Sequence, residues 1–287
     1  MRQIILRFSL TFILLVLAGQ LWAQASPAWT EPFPPHRVIG NIYYVGSRGL
    51  ASYLITTPQG HILINSSLES SVPLIRESVE KLGFHFNDVK ILLLSHAHWD
   101  HCAGSAKVKE ITGAKYFVMD GDVSVVESGG KTDFHYGGSP ETLYKPTKVD
   151  RVLHDGEEVR LGDTVLVAHL TAGHTKGTTT WTTKVNEGGK PYDVVIVGSP
   201  NVNPGYKLVG NQAYPQIAAD YENTFKVLKS LPCDIFLGAH GDYYGMEAKF
   251  ARMKPGGENP FIDPTGYQSY VAERDRAFRA ELEKQSR

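Results

Sequence analysis

Apolar and polar positions along this chain alternate with two periods, and the switches between them mark out the elements. Residues 42–45, 52–56 and 62–65 read as three short strands, separated by turn residues that include Pro58-Gln59-Gly60. From Ser71 to Leu82 the apolar residues Val72, Leu74, Ile75, Val79 and Leu82 follow helical spacing, and Gly83 is set to end the helix. Residues 91–94 form an unbroken apolar run, as expected of a strand buried on both faces. Helix is then predicted over 106–112 and strand over 115–118. Residues 120–136 hold a further helix, followed by Gly129-Gly130, read as a mobile loop.

The second half repeats this order. Strands are expected near Val152 and over 165–168, 178–183 and 194–197, then a helix over 215–231 and an apolar strand over 235–237. Residues 263–285 close the chain as an amphipathic helix, with Asp263 as N-cap and Pro264 at the first helical position. The Pro- and aromatic-rich stretch 26–36 is expected to wrap the surface. Each half is therefore strands, helix, buried strand, then a residue of metal-binding type. The fold expected from this is α+β: an αββα sandwich, two sheets back to back with helices outside.

Composition narrows the picture modestly. The chain has 287 residues, 42% hydrophobic and 21% charged, which suits one large domain over 26–287 or two halves packed as one. A formal net charge of −1 and the lack of any basic run offer nothing to nucleic acid or to an anionic membrane surface. The first 25 residues differ: Arg2 and Arg7 precede an apolar stretch from Phe8 to Ala18, and Ala23-Gln24-Ala25 makes a small-residue cleavage site. They read as a secretory signal peptide, too short and wrongly flanked to span a membrane. Gln20 stands where a lipidated cysteine would be, so the expectation is an exported, periplasmic or secreted protein with no stable membrane anchor, monomeric by default. Cys102 and Cys233 sit in segments committed to different core elements, and no bond between them is expected.

The chemistry is concentrated in Ser95-His96-Ala97-His98-Trp99-Asp100-His101, directly after a buried strand. In an extended loop residues i and i+2 point the same way, so His96 and His98 can grip one metal. Asp100 and His101 fall where the chain turns into the next helix and can face a second ion. Imidazole with carboxylate suits zinc, although imidazole alone also suits iron, copper or nickel. His174, in Gly173-His174-Thr175, and His240, in Gly238-Ala239-His240-Gly241, also follow strands and have glycine nearby, which lets backbone crowd a metal centre. His36, His61, His85, His154 and His169 are isolated and read as structural or solvated, while His135 adjoins the glycine loop.

These motifs, over about residues 39–246, resemble the metallo-β-lactamase superfamily, and most of all the third subclass of its β-lactamases. The segments 128–136 and 203–206, and Leu231-Pro232-Cys233-Asp234 leading into the His240 strand, carry the likeness beyond the metal motif. The resemblance implies His96, His98 and His174 on a first zinc, and Asp100, His101 and His240 on a second. It implies that a hydroxide shared by the two ions opens a small-molecule β-lactam (penicillin, cephalosporin or carbapenem), with Asp100 or a bound water returning the proton. Tyr136, Ser199 and Asn203 are then expected at the substrate, and Lys207 is read as solvated. The competing reading is an exported dinuclear-zinc lactonase or thioesterase. Such enzymes carry an aspartate bridging both metals at a strand end, and here Ser199 stands at the matching position.

Overall fold

The computed structural model describes residues 26–287, so the signal-peptide reading of residues 1–25 lies outside the described residues. The chain forms two sheets. The first runs β1 (His36–Ile39), β2 (Ile42–Tyr44), β3 (Tyr53–Thr57), β4 (Gly60–Ile64), β5 (Val89–Leu93), β6 (Lys115–Met119) and β7 (Arg151–Leu153), in that spatial order. β1 to β4 make an antiparallel meander, and β4 to β7 pair in parallel. The second sheet holds β8 (Glu158–Leu161), β9 (Thr164–Leu170), β10 (Thr179–Glu187) and β11 (Lys190–Val197) as a meander, with β12 (Ile235–Gly238) parallel to β11. Each half is thus a meander that ends in a parallel crossover, and a parallel pair needs a long connection. Helix α1 (Val72–Lys81) provides it between β4 and β5, and α5 (Ile217–Ser230) between β11 and β12.

The sheets pack face to face with helices on both outer faces, the αββα arrangement expected from the sequence. Along β5, Ile91 and Leu93 enter the core shared with Leu166 and Trp181 of the second sheet. Leu92 and Leu94 face the other way, into a layer with Val79 of α1 and Val108 of α3 (Ser105–Thr112). This is why the run 91–94 is apolar throughout rather than alternating. On the far side, α5 and α7 (Pro264–Gln285) pack together through Tyr221, Phe225 and Phe278. Burial of that scale, about 25 cal/mol per Å² of apolar surface, is the main force holding the layers.

The predicted helix ends are borne out in detail. Gly83, at φ +85°, ends α1 with Gly83 N–H on the Glu80 carbonyl and Phe84 N–H on the Val79 carbonyl. Asp263 caps α7 by accepting from Gly266 N–H at 2.8 Å. Gly129 and Gly130, read as a mobile loop, form the left-handed end of α4 (Asp120–Ser128), and a Cβ on Gly129 would lie 2.3 Å from the Tyr144 carbonyl oxygen. Among the elements not read from the sequence are β1, β8 and the short helix α6 (Met246–Ala251). Cys102 and Cys233 are free thiols. Among the described residues, no helix is long and apolar enough to cross a membrane.

Candidate metal centre

The loop after β5 is held through the backbone groups of Leu94, Ser95 and Ala97. Ser95 N–H donates to Asn65 Oδ1 (2.9 Å), and the Ser95 carbonyl accepts from Thr179 N–H of β10 (2.7 Å). Trp181 Nε1 donates to the Leu94 carbonyl across the inter-sheet core (3.0 Å). Ala97 N–H donates to Asp122 Oδ2 (2.8 Å), and its carbonyl accepts from the Tyr144 hydroxyl (3.1 Å). With its backbone so fixed, the loop turns His96 and His98 inward, both at 4% exposure or less. His98 then opens the short helix α2 (Trp99–Cys102), which carries Asp100 and His101. Beneath it, the Ser66 and Ser67 amides both donate to the His101 carbonyl (3.1 Å). Asn65 and Ser67 adopt φ of +63° and +53° there, left-handed backbone that is rare for such residues and typical of over-determined sites.

His174 arrives from the end of β9. Gly173 before it has φ +129°, and a Cβ there would lie 2.7 Å from the Tyr221 ring, so only glycine lets the loop pass. His174 Nδ1–H donates to the Asn201 carbonyl (2.8 Å), which leaves Nε2 free. The rings of His96, His98 and His174 lie 4.6–4.9 Å apart, and their ligand atoms are within 4.8 Å of one another. His98 Nε2 faces the Tyr206 hydroxyl (3.4 Å) and Asp133 Oδ2 (3.8 Å), which leaves Nδ1 as the atom for a ligand.

The second trio lies beside the first, with the His96 and His101 rings 4.2 Å apart. His101 Nε2 is 3.2 Å from Asp100 Oδ2 and 3.1 Å from His240 Nε2, while Asp100 Oδ2 and His240 Nε2 are 3.6 Å apart. Four ligands at 2.0–2.1 Å around a tetrahedral ion stand about 3.3 Å from one another, so these three atoms have the spacing of a zinc shell. His240 is brought there by β12, whose end is tied to the first half: Ala51 N–H donates to the Ala239 carbonyl (3.0 Å).

The electrostatics fit a cation. Burial pushes His98, His174 and His240 down to about 3 and His96 well below its usual value, so these imidazoles are neutral and offer lone pairs at pH 7. Burial pushes the Asp100 carboxyl up, but His101 and His240 beside it more than reverse this and hold it well below the usual range. Buried polar atoms facing one another without partners are costly, and a metal ion removes that cost. The all-nitrogen trio and the carboxylate-containing trio both suit zinc.

The expected substrate residues lie around these trios. The Tyr136 ring stands edge-on to His98 (5.1 Å) and Trp99 (5.5 Å), and its hydroxyl accepts from Asn203 Nδ2 (3.0 Å). Ser199 is buried after β11, with Oγ 3.1 Å from the Tyr243 hydroxyl. Tyr243 also accepts from Asn201 Nδ2 (2.9 Å) and stacks on Tyr270 of α7 (5.2 Å). Lys207 and His135 are exposed, His135 packing against Tyr136 and Tyr206. His36, His61, His85, His154 and His169 lie outside the site: His36 is boxed by Phe33, Tyr44, Phe250 and Phe261, while His85 and His154 face solvent. Sequence reasoning gave no role to Asp122, Asp133, Asn201 or Tyr243. A carboxylate or phenol whose partner is distant in the chain leaves no local signal. A cleft of about 520 Å³ opens beside His240, lined by Trp29, Arg48, Gly49 and Met246 among others.

Comparison with known proteins agrees with this geometry. Residues 46–240 match the family model of the metallo-beta-lactamase superfamily. The native FEZ-1 metallo-beta-lactamase from Legionella gormanii is 57% identical, with a TM-score of 0.88 over 90% of this chain and 98% of that one. BJP-1, a subclass B3 metallo-beta-lactamase of Bradyrhizobium japonicum, is 39% identical, with a TM-score of 0.86 over 92% of this chain and 98% of that one. The class B3 di-zinc metallo-beta-lactamase LRA-12 from an Alaskan soil metagenome is 35% identical, with a TM-score of 0.84 over 90% and 97%. On the family match, these relatives and the two converging ligand trios, the chain belongs to the metallo-β-lactamase superfamily.

Proposed function

We propose that this protein is an exported zinc β-lactamase that opens the lactam amide of penicillins, cephalosporins and carbapenems. In this reading residues 26–287 are one catalytic domain, acting as a monomer after residues 1–25 are removed. Two zinc ions are held, one by His96, His98 and His174 and one by Asp100, His101 and His240. The single observation that carries the reading is the spacing of Asp100 Oδ2, His101 Nε2 and His240 Nε2 beside the three-histidine cluster. The di-zinc relative supports the count of two. Ser199, where a bridging carboxylate would stand in a lactonase or thioesterase, favours the lactam over those substrates.

Zinc bound there supplies Lewis-acid polarisation of a carbonyl and makes water a nucleophile at neutral pH. The chain's own residues do the rest. The proton given up by the attacking water is returned to the departing lactam nitrogen by Asp100, whose Oδ2 is turned to His101 and His240, or by a bound water. Tyr136 flanks the bound substrate, and Ser199 and Asn203 lie towards its carboxylate. His174 keeps its orientation through the carbonyl of Asn201.

The test is direct. The mature protein loaded with zinc is expected to hydrolyse a penicillin, a cephalosporin and a carbapenem, and a chelator to abolish the activity. Turnover of lactones or thioesters with no lactam opening would overturn the proposal.

A further inference from the structure

The two halves of the chain deliver the first trio from opposite sides: His96 and His98 from the β5 loop, His174 from the β9 loop. Two buried side chains touch both loops: Tyr206, whose hydroxyl donates to the His174 carbonyl (2.9 Å) and faces His98 Nε2 (3.4 Å), and a carboxylate that holds both backbones. Asp122, in the first turn of α4, is 1% exposed. Its Oδ2 accepts from Ala97 N–H, the residue between His96 and His98, at 2.8 Å. The same oxygen accepts from the hydroxyl of Thr175, next to His174, at 2.8 Å. Its Oδ1 accepts from Gly177 N–H, also at 2.8 Å. The contact is made at backbone range. A Cβ on Gly177 would lie 2.5 Å from Asp122 N, and one on Gly121 would lie 2.3 Å from the Lys176 carbonyl oxygen.

Two alternatives account poorly for this arrangement. As an ordinary acidic residue favouring a helix N-terminus, Asp122 would gain from solvent exposure and would not need partners on two other loops. As a packing residue, a carboxylate is a poor choice, because burying its charge is costly and hydrogen bonds only partly offset that. All three partners are neutral donors, so none of them balances the charge. A carboxylate is, however, the small group that accepts three hydrogen bonds at once and adds a negative charge beside a cation site.

We propose that Asp122 is a positioning residue for the first zinc, clamping the His96–His98 loop to the His174 loop by their backbones so that three histidines from two halves of the fold converge before metal arrives. It touches neither substrate nor the reacting atoms. Its effect therefore falls on zinc affinity at the first trio and leaves the second trio, built on α2 and β12, largely unmoved. The proposal rests on the two-zinc reading above.

The test isolates one position. In the His240→Ala protein the second trio is broken, and zinc bound per chain reports the first. Competition with a chromophoric chelator then gives the zinc dissociation constant of His240→Ala with and without Asp122→Asn. Asparagine keeps the size but turns an N–H donor against another donor, and the dissociation constant is expected to rise about 10- to 100-fold. Thr175→Val, which removes one partner and keeps the carboxylate, is expected to give a smaller rise, with the thermal midpoint of its zinc-free form close to that of the parent. In the full-length wild-type background, Asp122→Asn is expected to lose zinc from the three-histidine position first. An unchanged dissociation constant in both variants overturns the proposal, as does equal weakening at both positions in step with lower zinc-free stability. If neither wild type nor His240→Ala binds zinc, the two-zinc reading fails and the clamp fails with it.

Discussion

The two crossovers of the sandwich, β4–α1–β5 and β11–α5–β12, are built alike and end on the same rim, yet they carry unequal shares of the chemistry. After β5 come four candidate ligands within six residues; after β12 comes His240 alone. The difference follows from position in the sheets. β5 lies between β4 and β6, and the loop beyond it is held by β10, Asn65 and Asp122, so several side chains can be aimed at once. β12 is an edge strand, covered at Ile235 by the Ile262 bridge, and its end is tied to β11 through Val197 and to the first half through Gly49, Leu50, Ala51 and Tyr53. Both strand ends are braced, but the chain beyond β5 runs on into α2, which adds Asp100 and His101 to the histidines of the loop, while the turn beyond β12 carries His240 alone. Metal binding as proposed for this site would thus depend on the two halves meeting correctly, and the predictions probe that dependence from each side.

The largest effect is expected on the dense side. His98→Ala removes a member of the buried trio, and lactam hydrolysis should fall by more than about a hundredfold, the upper range seen for groups that only support a ligand. Steady-state kinetics with zinc in excess would measure it; a loss below tenfold would break the assignment of the first trio. On the sparse side, His240→Ala should bring zinc content down towards one ion per chain while the three-histidine position stays filled, as read by metal analysis after dialysis. Retention of two tightly held ions would show that the second half contributes no ligand.

Much of this asymmetry was legible in the sequence. The cluster after β5 is dense enough to stand out unaided, whereas His174 and His240 became meaningful only beside it. The αββα order could be read because apolar runs 91–94 and 194–197 are long enough to be buried on both faces. What could not be read is set by distant partners. β1, four residues with an exposed arginine, exists because His36 is boxed by aromatic residues that include Phe250 and Phe261, more than 200 positions away. β8 offers only Val159 and Leu161 as apolar residues, and it is a strand because β9 pairs with it. Asp122, Asn201 and Tyr243 likewise look ordinary in sequence, since each acts through hydrogen bonds to other loops.

Two smaller effects would sharpen the comparison. Gly173→Ala forces a methyl against Tyr221 at a backbone angle that favours glycine, and should cost about 1–3 kcal/mol in urea unfolding. It should also loosen zinc at the first trio, where His174 is the only ligand from the second half; a variant as stable as wild type would show that the loop has room to relax. The last prediction concerns pH. In the zinc-free protein His98, His174 and His240 are held down to about 3 by burial, against about 6.5 in the unfolded chain. Between those values the unfolded state binds more protons, so stability is fully present above about pH 6.5 and is lost as pH falls towards 3. The urea midpoint of zinc-free protein should therefore drop steadily from pH 7 to pH 4, and a flat profile would contradict the buried, neutral state of these rings.

The most direct test of the central claim, that the two halves jointly build one two-zinc site, is anomalous diffraction at the zinc edge from crystals of the zinc-loaded protein. The account predicts two peaks, one among His96, His98 and His174 and one among Asp100, His101 and His240. A single peak shared by the β5 loop residues, with His240 turned away, would contradict it.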